Sequence, residues 1–331
     1  MLASPRTIAR RTVTTLTEQA AEQLIAGHAF APAPPGFVGA AVDVPASLSG
    51  RRPLRHGFLA ARGPRLAVVS GPPSPGLAVC LDRMTDDLRA ARSFVGLPGR
   101  PDAEAGIRVG LEAGLEGGGV LGLRRRWRLA HTVAPVLAAS FAHAPAPGWR
   151  SVRQASRRDH PVVPPGDPLR AWLAYAMSTA TGDGGSPRDR FRNGEPVTSE
   201  KLLHHLDSLR PPVAPRGHLE LDVADAQPGD GWRVPIAIIA TLLDDPQAAA
   251  EAAAATDHLA AEPRLWERAA RDALTDPVLA AAARDCFLAA YAALSRQGAA
   301  RSLRDAVADY AERYVLRSRT PADDVLDHAL S

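Results

Sequence analysis

The sequence predicts an α+β fold in which a largely antiparallel sheet forms a cup covered by many helices. Three observations carry this expectation. Short segments that alternate like strands lie far apart in the chain, each closed by Gly or Pro. Helix starts are marked by an Asp or Thr placed before a proline. The two kinds of segment do not alternate in the βαβ rhythm of a parallel sheet.

Residues 1–35 read as an N-terminal helix and a proline-rich lead-in, "APAPPG", before a single domain over 36–331. Strand character follows at "FVGAAVDV" (37–44), "RLAVVSG" (65–71) and "GIRVGLEAG" (106–114). Helical periodicity then covers 124–143, after an earlier helix over 78–95. Asp167-Pro168 opens a helix whose buried face is Leu169, Trp172, Leu173 and Ala176. The stretch 178–197 has no periodicity and reads as a long loop. A helix over 198–209 precedes one more strand, "HLELDVAD" (218–225). Helices are then expected over 232–244, 247–261, 263–273, 277–297 and 301–318, and Thr320-Pro321 opens another.

With 331 residues, 46% of them hydrophobic, the chain can bury a large core. A formal charge of +3 is too weak to suggest nucleic acid, and Lys201 is the only lysine, which reads as compositional bias. Cys80 and Cys286 sit in apolar helical runs, in no metal-ligand spacing, and read as structural thiols. Arg6, Arg10 and Arg11 precede a polar amphipathic helix without the apolar region of a secretory signal. The run "VPIAIIATLL" (234–243) has about half of the roughly 20 residues that span a bilayer. A cytoplasmic protein without a membrane partner is expected.

Strand side chains alternate between faces, so each strand can be read for its polar side. The first offers Ala41 and Asp43, the third Arg108, Gly110 and Glu112, and the last His218, Glu220 and Asp222. On one sheet these would line a concave surface rich in carboxylates, which suits Mg²⁺, a hard cation that takes oxygen ligands. An ordinary solvated sheet face has the same pattern. "RRRWR" (124–128) reads as the solvated first turn of a helix. His204 and His205 are adjacent on a helix, about 100° apart, so they do not share a metal. "GLEGGG" (114–119) lacks the Lys-Ser/Thr of a phosphate loop and reads as a turn.

The C-terminal half carries "HHLDSLRPPVAPRGHLELDVAD" (204–225), "GW" (231–232), "TLLDDP" (241–246), "WERAARDALTD" (266–276) and "TPADDVLD" (320–327). Upstream stand "VSGPP" (69–73), "VGLEAG" (109–114), "RLAH" (128–131) and "GWRSVRQ" (148–154). In order and spacing these resemble the actinobacterial glutamate–cysteine ligases of ergothioneine biosynthesis, carboxylate–amine ligases of glutamine-synthetase-like fold. The resemblance implies ATP and Mg²⁺ as cofactors and glutamate, cysteine and ATP as small-molecule partners. It implies Arg153 and Glu220 as catalytic residues. It further implies Arg216, His205 and Arg108 as substrate or nucleotide binders, and Asp43, Glu112 and Glu220 as metal ligands.

The departures from that family are specific. Ala41 and Asp43 stand where its first strand carries a pair of glutamates, and Val68 where its second carries one. Its Asn-Leu-Asp is Gly110-Leu111-Glu112, its Asn-Ser pair is His143-Ala144, and one arginine is Ala214. Another arginine is Asp222, a charge reversal expected to repel an anion. The chain is also shortened between 53 and 65 and between 97 and 106. Three readings stay open. One is an active glutamate–cysteine ligase; the second is a catalytically eroded relative that binds a metabolite or a partner protein; the third is a ligase with another amine substrate.

Overall fold

In the computed structural model, residues 15–94, 103–157, 166–180 and 185–330 are described. Helix α1 (Glu18–Ala29) precedes strands β1 (Phe37–Pro45), β2 (Arg51–Pro53), β3 (Phe58–Gly63), β4 (Leu66–Ser70) and β5 (Ser74–Pro75). Helix α2 (Gly76–Ala91) leads to β6 (Gly106–Leu111), α3 (Leu123–Ser140) and α4 (Val152–Ala155). Helices α5 (Pro168–Ser178), α6 (Pro187–Arg192) and α7 (Ser199–Ser208) come before β7 (Val213–Pro215) and β8 (Leu219–Asp225). Then follow α8 (Arg233–Asp244), α9 (Pro246–Thr256), α10 (Leu265–Arg271), α11 (Pro277–Arg296), α12 (Arg301–Arg313) and α13 (Pro321–Leu330).

The chain forms two compact units, Met1–Ala29 with Leu169–Leu209, and Phe30–Pro168 with Arg210–Ser331. Helix α1 therefore groups with a segment from the middle of the chain. Within this smaller unit, Ala21, Ile25 and Ala29 recur every fourth residue on α1 and are fully buried. The expected loop over 178–197 contains α6, while 181–184 lie outside the described residues. The Ser186 hydroxyl accepts from Asp189 N, and the Asp189 carboxylate accepts from Ser186 N, a reciprocal cap with Pro187 at the first helical position. "SPRD" is the start signal that lack of periodicity concealed.

The larger unit is built on one sheet in the order β2-β3-β4-β1-β6-β8-β7, with β5 paired to β1. Its ladders are antiparallel, so the α+β expectation describes the molecule. Val38 and Val42, Ile107 and Val109, and Leu219 and Leu221 fall on one face and are buried. They join one core with Trp127 and Val133 of α3 and Ile236 and Ile239 of α8. Edge strand β2 carries exposed Arg51, Arg52 and Pro53, side chains that discourage pairing with another chain.

The Asp-Pro starts behave as capping chemistry requires. The Asp245 carboxylate accepts from Gln247 N and Ala248 N at α9, and Asp276 accepts from Val278 N and Leu279 N at α11. Among the described residues, α11 alone has the length and composition of a membrane span. Half of its residues are buried within the protein, against α3, α8 and α9.

Two residues of "RRRWR", Arg126 and Trp127, depart from its solvated reading. Arg124 and Arg128 are exposed, but Arg126 is 1% exposed. Its Nε and Nη2 donate to the Glu112 carbonyl at 3.1 and 2.8 Å, and Nη2 donates to Asp244 at 2.7 Å. Nη1 donates to the Leu243 carbonyl. Arg126 thus joins the end of β6 to the C-terminus of α8 on the core side of the sheet. Burial pushes the Asp244 carboxyl above its ordinary range, against the pull of Arg126. Replacing Arg126 with Met should strand these acceptors and destabilise the fold by about 3–5 kcal/mol. Urea denaturation at neutral pH measures it.

Candidate active site on the polar face of the sheet

The register brings the polar strand positions onto the face opposite the core. Ala41 pairs with both Ser70 and Arg108, and Gly39 pairs with Gly110, which pairs with Glu220. Asp43, Arg108, Glu112 and Glu220 therefore share one face. Between Val109 and Ile107 the β6–β8 register shifts, so that Asp222 and Val223 together oppose Arg108. The bulge returns Ala224 to the core side, opposite Ile107, although simple alternation assigns it to the polar face.

Much of this face is filled by guanidinium–carboxylate pairs. The buried Asp43 carboxylate accepts from Arg62 Nη1, from Arg108 Nη2 at 3.0 Å and from Gly106 N at 2.9 Å. Asp222, 2% exposed, accepts from Arg153 Nη2 and from Arg157 Nη2 at 2.7 Å. Burial alone would raise the Asp222 carboxyl, but Arg153 and Arg157 prevail and hold it well below the ordinary carboxylate range. At Asp225, 3.6 Å from Arg153, burial wins and the carboxyl is raised. Burial and the neighbouring Arg108 lower the Arg62 guanidinium to about 10. Positive charge is crowded here, and an incoming anion would relieve it.

Beside this network lies a cavity of about 380 Å³ lined by Arg108, Glu112, His218 and Glu220 over a floor that includes Gly39 and Gly110. Glu112 accepts from Phe37 N at 3.3 Å, and Glu220 stands 3.6 Å from Arg216. A Cβ on Gly110 would lie 2.8 Å from His218 Nε2, so the missing side chain gives the imidazole its place. Guanidinium, carboxylate and imidazole converge on this space, which suits a ligand carrying both an anionic and a cationic group.

The structure thus brings together Arg108, Glu112 and Glu220, with Arg216 beside Glu220. Other expected site residues lie elsewhere. Arg153 is 1% exposed and bonded to Asp222 and the Ala224 carbonyl, so it serves the network and does not line the cavity. His205 belongs to the smaller unit, buried, with Nε2 2.8 Å from the Ala176 carbonyl. Asp43 is spent on arginines. Asp222 is paired and buried, so the expected repulsion of anions is already neutralised. Arg62 and Arg157, which complete the network, were missed because neither falls on a motif.

Residues 105–329 match the model of glutamate-cysteine ligase family 2. The chain belongs to this family. It is 33% identical over 258 residues to the glutamate–cysteine ligase EgtA of Mycolicibacterium smegmatis, a match covering 69% of this chain and 58% of that protein. With EgtA of Mycobacterium tuberculosis it is 28% identical over 380 positions, covering 92% of this chain and 84% of that protein. The chain thus spans less than two thirds of the first relative. The second match runs longer than the 331 residues present, so this member of glutamate-cysteine ligase family 2 lacks segments its relative has.

A resident Mg²⁺ is tested by the donors themselves. Among the described residues, no group of three or more His, Cys, Asp or Glu side chains could hold a metal ion. Magnesium requires oxygen lone pairs in near-octahedral array. Those of Asp43 already accept guanidinium and amide N–H groups, and the adjacent positions are Val68 and Ala41. These residues do not fit the ion.

Two outcomes are expected for the network. Asp222→Asn leaves two buried guanidinium groups short of an anion and should cost about 3–5 kcal/mol at neutral pH. The carboxyl is depressed in the fold, so its contribution is complete above about pH 4 and fades as pH falls towards the folded value. Urea denaturation across pH should therefore show the gap between wild type and variant closing in acid. In Gly106→Ala, the new Cβ would stand 2.3 Å from Arg153 Cζ. Relieving that overlap should cost about 1–3 kcal/mol, read as a lowered Tm.

Proposed function

We propose that this chain is a glutamate–cysteine ligase of ergothioneine biosynthesis, with the cavity over β1, β6 and β8 as its substrate site. The observation that carries the reading is that family-matched strands β6 and β8 contribute both the acidic and the basic groups lining that cavity. In the proposed reaction a γ-carboxylate oxygen of glutamate attacks the terminal phosphorus of ATP, and ADP leaves. The cysteine ammonium gives up one proton, the free amine nitrogen attacks the acyl carbon of the γ-glutamyl phosphate, phosphate leaves, and the nitrogen loses its second proton. Arg108 grips a substrate anion through the donors it does not give to Asp43. Glu220, its side chain 27% exposed, attracts the cysteine ammonium and accepts the first proton, which frees the nitrogen lone pair for attack. Arg153 acts at one remove, by fixing Asp222 and β8 beside Arg108.

A second reading, a catalytically eroded relative that binds a small anionic metabolite, is favoured by the engagement of Asp43 and by the carbon side chains of Ala41 and Val68. The deciding assay supplies ATP, glutamate and cysteine and quantifies γ-glutamylcysteine together with ADP. The ligase reading expects both products in equal amount. It also expects Glu220→Gln to lower turnover by about 10²–10⁴-fold with Tm nearly unchanged. Calorimetric binding of glutamate or ATP without either product supports the eroded reading.

A further inference from the structure

We infer that the cup binds its anionic ligand on guanidinium groups without a divalent cation, Arg62 and Arg108 standing at Asp43 where a metal would stand. The identity of the ligand rests on the ligase reading; the absence of a cation does not. The Asp43 side chain has no exposed surface, and both of its oxygens are occupied. Oδ1 accepts from Arg108 at 3.0 Å, while Oδ2 accepts from Arg62 and from Gly106 N at 2.9 Å. A metal reaching this carboxylate must displace a guanidinium and then remain beside that positive charge.

The arginines are aimed by the backbone. The β3–β4 register shifts between Ala61 and Gly63, which makes Arg62 the extra residue of a bulge. Arg108 lies opposite the two-residue bulge of β8. The positions flanking Asp43 on its face offer no replacement oxygen, since Val68 is paired with it and Ala41 lies two residues before it. Arg108 alone of the two clamping arginines also lines the cavity. Asp43 therefore orients a cation that is covalently part of the chain.

Two measurements on the intact protein decide the matter. Manganese(II) alone is titrated as a paramagnetic substitute for magnesium, and free ion is followed by electron paramagnetic resonance. Wild type should show no binding tighter than about 1 mM. Arg62→Met combined with Arg108→Met frees Asp43 and should create a site that a further Asp43→Asn change removes. Sub-millimolar binding by wild type that is lost in Asp43→Asn or Glu220→Gln overturns the inference. Should the double variant fail to fold, the wild-type and single-variant titrations decide alone. Calorimetry then compares ATP in EDTA with ATP in excess magnesium. Affinity in EDTA should be equal or higher; tightening by magnesium of about tenfold or more overturns the inference. If ATP binds in neither condition the ligase reading fails, and the manganese titration still decides whether a cation is held.

Discussion

Charge buried on the polar face of a sheet is the constraint from which the rest of this molecule follows. A carboxylate taken out of water is costly unless a paired, hydrogen-bonding cation replaces the lost solvent. Asp43 and Asp222 are both removed from water, and each carries two arginines. Those arginines come from distant stretches: β3, β6 and the segment around α4. The network therefore ties these elements to the sheet through interactions that tolerate little movement. It also explains a side chain that is missing. Gly106 leaves the space in which the Arg153 guanidinium lies.

The network also sets the sign of the cavity beside it. Two guanidinium groups on one carboxylate leave residual positive charge, and the lowering of Arg62 to about 10 reflects burial and that crowding. Glu112 and Glu220 bring negative charge to the same space. A ligand with an anionic end and an ammonium end, such as an amino acid, meets groups of both signs there. Complementarity of this kind orients a ligand more than it tightens binding, because every charged group gives up water to make its contact.

Much of the fold was legible because it depends on local rules. Strand alternation gave the shared face of Asp43, Arg108, Glu112 and Glu220, and Asp-Pro pairs marked the starts of α9 and α11. Absence of periodicity hid α6, a helix too short to show it. The site was legible in part, for a physical reason. Alternation says which face a side chain takes, but not whether another side chain will cover it. Arg62 on its bulge, Arg157 from a segment without a motif, and Arg126 inside a run of exposed arginines find their carboxylates only after the chain has folded. Arg153 and His205 matched family positions, yet their burial depends on contacts remote in sequence.

A metal and a guanidinium offset charge in different ways. A divalent cation can bridge two ligands and shift with a migrating phosphoryl group, whereas a guanidinium donates in a fixed plane from a fixed anchor. At Asp43 that anchor is set by two strands and a bulge, so the positive charge is present before any ligand arrives and stays where it is. Preorganisation of this sort favours binding a formed anion over stabilising charge that moves during reaction. Arg126 adds a restraint from behind, since it holds the Glu112 backbone to the end of α8 on the core side of the sheet. Arg108 and the backbone of Glu112, both lining the cavity, are thus held by separate buried contacts, one to Asp43 and one to Arg126.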